Sequence, residues 1–500
     1  MTEYITHKFI KPNQVESRDY QVSLANQAKS ENCLVVLPTG LGKTTVALQV
    51  IADYLSRGTG GVLFLAPTRV LTNQHYEFLK NNLNLEDIGL LTGEDTLAKR
   101  KKSWTNSVIC ATPEITKNDL DREIVSVDQF SLVIFDEAHR TIGDYAYSGI
   151  AQRFAGKNVR IVGMTATLPA EKEKATEIIT TLRIASVAQK TEDSPDVAPY
   201  IQKTNTNWVK VDLPQEMKEV QFYLRKALEI RHHELTKCGL RLSANVSLSQ
   251  LLRARDFVIR QNRRAAKPLF TAIRLHYALN ILESHGVTSF LRFCDRTREK
   301  KGVGIKDLFE NDSNFIRALA YAKDAQKKGI EHSKIVKLAE IIKGLSGRAI
   351  VFTSYRDSVE IIHDKLMELG ISAGFLIGKA GETGLKQKQQ VETVQNFRDG
   401  KYQVLIATRV GEEGLDISEV NDVIFFDNVP SSIRFVQRKG RTGRKSAGNL
   451  TVLIAKGTID EAYYWVGQRK MKSAQTMGER LTKDLQKQSE NAPAGLDAYF

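Results

Sequence analysis

Two α/β domains, each built on a parallel sheet, with an all-helical insertion between them, is the fold class that this sequence predicts. Three observations carry it. Short β-branched-rich apolar runs alternate with helical stretches between residues 33 and 167, and the same texture returns after Arg348. Between these regions, residues 216–328 show helical spacing and no β-alternation. Strands that alternate with helices imply βαβ units on a parallel sheet, and an uninterrupted helical pattern implies helix-on-helix packing.

The first series of runs is Cys33–Leu37, Val62–Ala66, Val108–Ala111, Leu132–Phe135 and Ile161–Met164, each bounded by Gly, Pro, Thr or Asp. Residues 189–214 are polar, carry three prolines and read as a linker. Beyond it, Val220, Tyr223, Leu224, Ala227 and Leu228 share one helical face. The second series is Ala349–Thr353, Ala373–Ile377, Val404–Ala407, Val423–Phe426 and Thr451–Ala455. The expected division is 1–208, 215–330, 331–470 and a tail 471–500.

A length of 500 residues fits this division, at about 150 residues per domain. A hydrophobic share of 42% excludes a disordered chain. Lys and Arg number 72 against 58 Asp and Glu, a net charge of +14, which suggests a polyanionic partner such as nucleic acid. The excess is local: residues 216–330 hold 23 Lys or Arg and 12 Asp or Glu, an excess of +11. Arg253, Arg260 and Arg264 fall on one helical face, as do Arg292, Arg296 and Lys300. Each stripe reads either as a phosphate-binding surface or as a solvated helix face. Cys33, Cys110, Cys238 and Cys294 form no CxxC pair, which argues against structural zinc and a disulfide framework. The first twelve residues lack a signal-peptide core, and no apolar window reaches the roughly 18 residues of a membrane span. A soluble intracellular protein with no membrane contact is expected.

The chemistry is concentrated in three segments. Leu37-Pro-Thr-Gly-Leu-Gly-Lys-Thr44 follows the first apolar run and opens a helical pattern. A Gly-rich turn there aims backbone N–H groups and a helix N-terminus at phosphate. Thr39, Gly40 and Gly42 would shape the turn, Lys43 would neutralise the β- and γ-phosphates, and the Thr44 hydroxyl would ligate Mg²⁺. The strict P-loop pattern has Gly where Leu37 stands. Leu132-Val-Ile-Phe-Asp-Glu-Ala-His139 puts two carboxylates at a strand's carboxyl end, where open α/β sheets bind ligands. Asp136 would hold Mg²⁺, and Glu137 would orient or deprotonate the attacking water. Gln437-Arg-Lys-Gly-Arg-Thr-Gly-Arg444 in the second α/β domain offers Arg441 and Arg444 as charge-stabilising arginines. A nucleotide shared by two domains would let hydrolysis open and close their cleft.

In chain order these segments resemble the motif set of superfamily 2 DEAH-box helicases over nearly all of residues 15–460. The resemblance implies RecA-like α/β domains. It implies adenine contacts for Arg18 and Gln21, in Arg18-Asp-Tyr-Gln21, and nucleotide contacts for Gly414 and Asp416, in Thr408-Arg-Val-Gly-Glu-Glu-Gly-Leu-Asp416. Gln437 joins the catalytic set with the motif that holds Arg441 and Arg444. Coupling of hydrolysis to movement falls to His139, Thr165 and Thr167. Strand contacts fall to Arg69, Thr112, Thr353, Ser354 and Thr408, and in the insertion to Arg253, Arg260 and Arg264.

Within that superfamily the chain resembles the helicase part of archaeal Hef, relative of the Fanconi group M proteins. Arg18-Asp-Tyr-Gln21, Pro38-Thr-Gly-Leu-Gly-Lys-Thr44, Asp136-Glu-Ala-His-Arg140, Ser194-Pro-Asp-Val-Ala-Pro-Tyr200 and the basic insertion carry the likeness. It implies ATP- and Mg²⁺-dependent remodelling of forked and four-way DNA with 3′ to 5′ polarity, by a monomer in an archaeal cytoplasm. The insertion would act like a polymerase thumb. No XPF-like Glu-Arg-Lys…Asp nuclease signature precedes Phe500, so unwinding without cutting is expected. A double-stranded RNA-stimulated ATPase of the RIG-I and Dicer type is the alternative, since those helicases share the Arg-x-Tyr-Gln opening and the position of the insertion. A non-enzymatic DNA scaffold with a decayed ATP site is disfavoured by intact Lys43, Asp136, Glu137 and Arg444. In the tail, Leu496, Tyr499 and Phe500 match the apolar anchors of a sliding-clamp peptide, although Pro493 replaces its Gln; docking onto the protein's own surface is the other reading.

Overall fold

Alternate residues of a strand face opposite sides of its sheet, so a strand that is apolar throughout needs a helical layer on each side. The first sheet meets this condition: Leu34, Leu63 and Val133 enter one core, while Val35, Phe64 and Ile134 enter the other. The computed structural model describes residues 3–490, apart from 94, 144, 202–203, 244–245, 379–384, 386, 412–416, 418–419 and 443–447. The strands of this sheet are β1 (Cys33–Val36), β2 (Gly61–Leu65), β3 (Ile88–Leu91), β4 (Val108–Ala111), β5 (Phe130–Phe135), β6 (Arg160–Thr165) and β7 (Ser186–Gln189). They pair in parallel in the order β3-β4-β2-β5-β6-β1-β7.

The second sheet contains β8 (Thr204–Val211), β9 (Ala349–Phe352), β10 (Ala373–Leu376), β11 (Val404–Ala407), β12 (Asp422–Phe425) and β13 (Gly448–Ala455). Its order is β10-β11-β9-β12-β13-β8, again parallel. Here the expected linker 189–214 is corrected. Its latter part is β8, paired with β13 from Thr204 against Gly448 to Val211 against Ala455. The boundary expected at 208 therefore falls inside a strand of the second sheet. Thr204-Asn-Thr-Asn carries no apolar run because β8 lies at the sheet edge, with one neighbour and partly solvated side chains.

Among the described residues, six α-helices form the insertion: Gln215–Lys237, Leu248–Gln261, Ala266–His285, Val287–Arg298, Ile305–Glu310 and Ser313–Lys327. Val220, Leu224, Ala227 and Leu228 bury the predicted face in a core shared with Leu251, Leu269, Leu282, Phe290 and Phe315. After β13 the chain runs into one long helix, Ile459–Glu490, which leaves the second sheet and lies across the first domain. Its Lys470 pairs with Glu171 at 2.6 Å, Ser473 Oγ donates to the Ala170 carbonyl, and Gln189 Nε2 donates to the Gln475 carbonyl at 2.9 Å. Met477 and Leu481 are buried in the first domain's core. Residues 471–490 thus tie the two domains together, whereas Leu496, Tyr499 and Phe500 lie outside the described residues. No described helix is long and apolar enough to cross a membrane.

Candidate active site

The site starts where β1 ends. The chain turns through Gly40 and Gly42, both at φ +85°, a left-handed conformation that L side chains rarely adopt. A Cβ on Gly42 would also run into the Gln21 amide. The helix Lys43–Arg57 follows with no side-chain cap hydrogen bond, and the positive end of a helix dipole in that place suits an anion. Lys43 Nζ donates to the Leu37 carbonyl at 3.1 Å. Gln21 Nε2 and Tyr20 Oη both donate to the Leu41 carbonyl, at 3.0 and 2.9 Å. Gln21 Oε1 is buried and has no hydrogen-bond partner among the described residues, an acceptor suited to an adenine amine. Arg18 stacks on Tyr200 with 4.5 Å to the ring centroid and pairs with Glu16 at 2.9 Å.

Asp136 follows β5 and is buried. Its Oδ2 meets His75 Nε2 at 2.8 Å, and its carbonyl accepts from Tyr147 Oη at 2.9 Å. Burial pushes the Asp136 carboxyl up, but the His75 hydrogen bond and the Lys43 charge outweigh it and hold it below its usual range. Glu137 adopts φ +50°, an uncommon conformation for a side chain of this kind and one that clusters at functional sites. Its Oε2 lies 3.3 Å from His139 Nδ1, which is 3.2 Å from Thr165 Oγ1; Thr165 in turn donates to the Thr167 carbonyl at 3.0 Å. The predicted coupling residues thus form one contiguous chain. The Thr44 hydroxyl and the Asp136 carboxylate are hard oxygen donors, a set that fits Mg²⁺.

The second domain approaches through the helix Ser432–Lys439. A Cβ on Gly440 would collide with Thr39 Oγ1, so the glycine-rich turn and the Gln437 segment are pressed together. Lys439 reinforces the contact by pairing with Glu192 at 2.7 Å. Gln437 and Arg441 are buried here. A cavity of about 160 Å³ opens beside the contact, lined by Thr39, Gly40, Thr167, Gly440 and Met471. Arg444, Gly414 and Asp416 lie outside the described residues.

A groove on the first domain is lined by Thr68, Arg69, Arg100 and Thr112. Thr68 and Thr112 are the N-cap residues of the helices Arg69–Asn82 and Pro113–Asp121, so two helix N-termini open onto it. Thr408 is buried and hydrogen-bonded to the Leu376 carbonyl through its backbone N–H. Thr353 and Ser354, expected at the strand, have their hydroxyls engaged within the second domain. Thr353 is fully buried and donates to Asp427 at 3.0 Å, as does Ser354 Oγ, so both hydroxyls turn inward.

The two arginine stripes differ. Arg253 and Arg260 are exposed on the helix Leu248–Gln261. Arg264 is exposed too, but in the 3-10 turn beyond the helix end. The second stripe is tied down by the helix Arg356–Glu368: Arg292 pairs with Glu360 at 2.8 Å, and Arg296 grips Asp357 at 3.0 and 2.6 Å. Sequence reasoning missed His75, Asp427 and Tyr147. Only Asp427 had a signal, as a carboxylate just beyond an apolar run.

Residues 18–175 match the DEAD/DEAH box helicase family and 333–446 match the helicase conserved C-terminal domain. A Methanocaldococcus jannaschii protein that bears the name of an ATP-dependent RNA helicase is 38% identical, over 92% of this chain and 60% of its own length. The Neurospora crassa ATP-dependent DNA helicase mph1 is 32% identical, over 89% of this chain and 41% of its own length. The Mus musculus Fanconi anemia group M protein homolog is 30% identical, over 91% of this chain and 25% of its own length. The chain therefore spans 60% or less of the length of these relatives. The crystal structure of the Pyrococcus furiosus Hef helicase domain is similar at TM-score 0.66 and 37% identity, covering 90% of this chain and 97% of that one.

Proposed function

The chain belongs to the DEAD/DEAH-box helicases, in the group of the Hef helicase domain, and from that premise we propose that it is an ATP-dependent DNA helicase or translocase that remodels forked and four-way DNA in replication-fork repair. The observation that carries this reading is the contact of Thr39 with Gly440, which sets the phosphate-binding turn of one domain against the arginine-bearing segment of the other. A nucleotide there would touch both domains, so its cleavage would alter their contact.

In this reading Gln21 reads the adenine, with Arg18 beside it, and the turn Thr39–Gly42 cradles the phosphates. Lys43 neutralises phosphate charge, Glu137 orients the attacking water, and Gln437, Arg441 and Arg444 stabilise charge on the transferred group. Gly414 and Asp416 complete the nucleotide contacts. Bound Mg²⁺ neutralises phosphate charge, with Thr44 and Asp136 as its protein ligands. The chain Glu137–His139–Thr165–Thr167 passes the state of the site to the body of the first domain. The strand lies along Arg69, Thr112 and Thr408, with Arg253, Arg260 and Arg264 of the insertion on its phosphates. The protein works as a monomer on DNA in the cytoplasm, and Leu496, Tyr499 and Phe500 dock a sliding clamp. Clamp capture that persists after Tyr499→Ala and Phe500→Ala together removes that last element.

The name of the Methanocaldococcus relative favours RNA as the second reading. ATP hydrolysis measured with forked DNA, linear duplex DNA and double-stranded RNA separates the two. Strongest stimulation by forked DNA is expected. Stimulation by RNA alone overturns the DNA reading, and no turnover with any nucleic acid overturns the enzyme.

A further inference from the structure

His75 belongs to none of the motifs that suggested the site, yet it hydrogen-bonds the Asp136 carboxylate, at 2.8 Å from Nε2 to Oδ2. Both groups are buried. Donation to a carboxylate requires the proton on Nε2, so one ring tautomer is selected. The ring cannot swing freely: it packs on Phe64 of β2, with centroids 4.4 Å apart. β2 pairs directly with β5, at whose end Asp136 sits. The imidazole therefore fixes one carboxylate oxygen, Oδ2.

The histidine also has a second connection. It lies on the helix Arg69–Asn82, whose first residue lines the groove that contains Thr68, Arg100 and Thr112. Six residues separate Arg69 from His75, about 9 Å of helix. One turn before the histidine, Thr72 Oγ1 donates to the Ala66 carbonyl at 3.3 Å, which pins the helix to the end of β2. A ligand that shifts Arg69 acts on a helix that also carries Thr72, bonded to the end of β2, and His75, which holds Asp136.

We propose that His75 is a positioning residue: it sets the Asp136 carboxylate for the divalent cation and carries strand engagement at Arg69 to that carboxylate. This rests on the ATPase reading above and names the regulation of that same site. Outer-sphere partners of metal-binding carboxylates and histidines commonly alter metal affinity or activity by about 10–100-fold.

The test uses two variants of the full chain. His75→Phe keeps a ring against Phe64 and removes the donor; His75→Gln keeps a donor of similar reach. Thermal unfolding first establishes that each is folded. Mn²⁺ affinity in the presence of ADP, read by electron paramagnetic resonance of free Mn²⁺, should fall about tenfold in the Phe variant and recover in the Gln variant. Strand affinity, read by fluorescence anisotropy, should stay unchanged in both, while stimulation of hydrolysis by that strand is lost in the Phe variant alone. Wild-type Mn²⁺ affinity in His75→Phe overturns the proposal, as does unimpaired stimulation. If the wild-type protein hydrolyses no ATP under any condition, the ATPase reading fails, and the Mn²⁺ titration still decides the role of His75.

Discussion

The Arg438 guanidinium lies 3.3 Å from Asp427 Oδ1 with the arginine fully buried and the rings of Phe352 and Phe425 beside it at 5.5 and 5.4 Å. Asp427 also accepts from Thr353 and from both the backbone and hydroxyl of Ser354. The pair therefore pins the helix Ser432–Lys439 to the ends of β9 and β12, and so fixes where Gln437 and Arg441 point. Removing one partner of a buried pair strands the other charge and costs about 3–5 kcal/mol. Arg438→Met or Asp427→Asn should each lower unfolding stability by that order in urea titrations. The double variant should lose less than the sum, because it leaves no lone charge. Strict additivity would show that the two groups do not act as a pair.

Acid sensitivity follows from the same cluster. His285, at the end of the insertion helix Ala266–His285, lies 3.7 Å from Asp427 and hydrogen-bonds Ser358 at 2.8 Å. Lys334 and Arg438 also face it, and they oppose its protonation. Burial is the largest influence; it outweighs Asp427 and lowers the imidazole from 6.5 to about 4. The unfolded chain then binds the proton more readily, so stability present above about pH 6.5 is lost as pH falls toward 4. The shift corresponds to about 3 kcal/mol. Asp427 itself is lowered to about 2, so its contribution is lost only below about pH 4. Urea midpoints at pH 7, 5.5 and 4.5 should decline, and His285→Gln should flatten that decline. An equal decline in the variant would place the titrating group elsewhere.

The glycine-rich turn gives a sharper test of nucleotide binding. Gly42 is held at φ +85°, and a Cβ there meets the Gln21 amide. Gly42→Ala is thus strained twice over, in backbone and in space. Fluorescent-ADP titrations should show affinity reduced at least tenfold while strand binding persists. Lys43→Ala should instead abolish hydrolysis and leave strand binding intact. Loss of strand binding in either variant would mean that the two sites are not separate.

What the sequence displayed and what it hid divide along physical lines. Buried parallel strands such as Val108–Ala111 and Val404–Ala407 are legible because both faces must be apolar. β8 hid because an edge strand can be polar. The turn at Gly40 and Gly42, the carboxylates Asp136 and Glu137 and the segment at Gln437 were legible because phosphate chemistry restricts residue type and spacing. Contacts between distant segments were not: Thr353 and Ser354 face Asp427, 74 and 73 residues away, and His75 reaches Asp136 across 61 residues. Nothing local in a helix records which side chain will stand opposite it. The long helix Ile459–Glu490 looked like a polar tail because only a narrow stripe, including Met477 and Leu481, is buried.

That stripe makes the helix a tether between domains. Met477 and Leu481 are 1% and 3% exposed in the first domain's core, although the helix starts from the second. Truncating a buried Leu or Met to Ala costs about 2–5 kcal/mol, here paid mainly in docking. Met477→Ala with Leu481→Ala should release the distal half of the helix. Limited proteolysis should then cut within 470–490, and small-angle scattering should show a larger radius of gyration. Unaltered protection would mean that Lys470–Glu171 and Lys172–Asp484 suffice to hold it.

The arginine stripes provide the last discrimination, because they look alike in sequence and differ in structure. Arg253, Arg260 and Arg264 are exposed, while Arg292 and Arg296 are engaged by Glu360 and Asp357 of the second domain. Each phosphate contact releases about 0.9 counterion on duplex DNA, so a phosphate-binding stripe appears in the slope of log affinity against log salt. Replacing Arg253, Arg260 and Arg264 with Gln should reduce that slope by up to about three on forked DNA. Arg292→Gln with Arg296→Gln should leave the slope unchanged. Its effect on stability should stay near 1 kcal/mol or less per pair, because both arginines are substantially exposed. If the first replacement leaves the slope intact, that stripe is a solvated face. If the second lowers it, the carboxylates of the helix Arg356–Glu368 release their arginines to the strand on binding, and the two domains then reorganise with it.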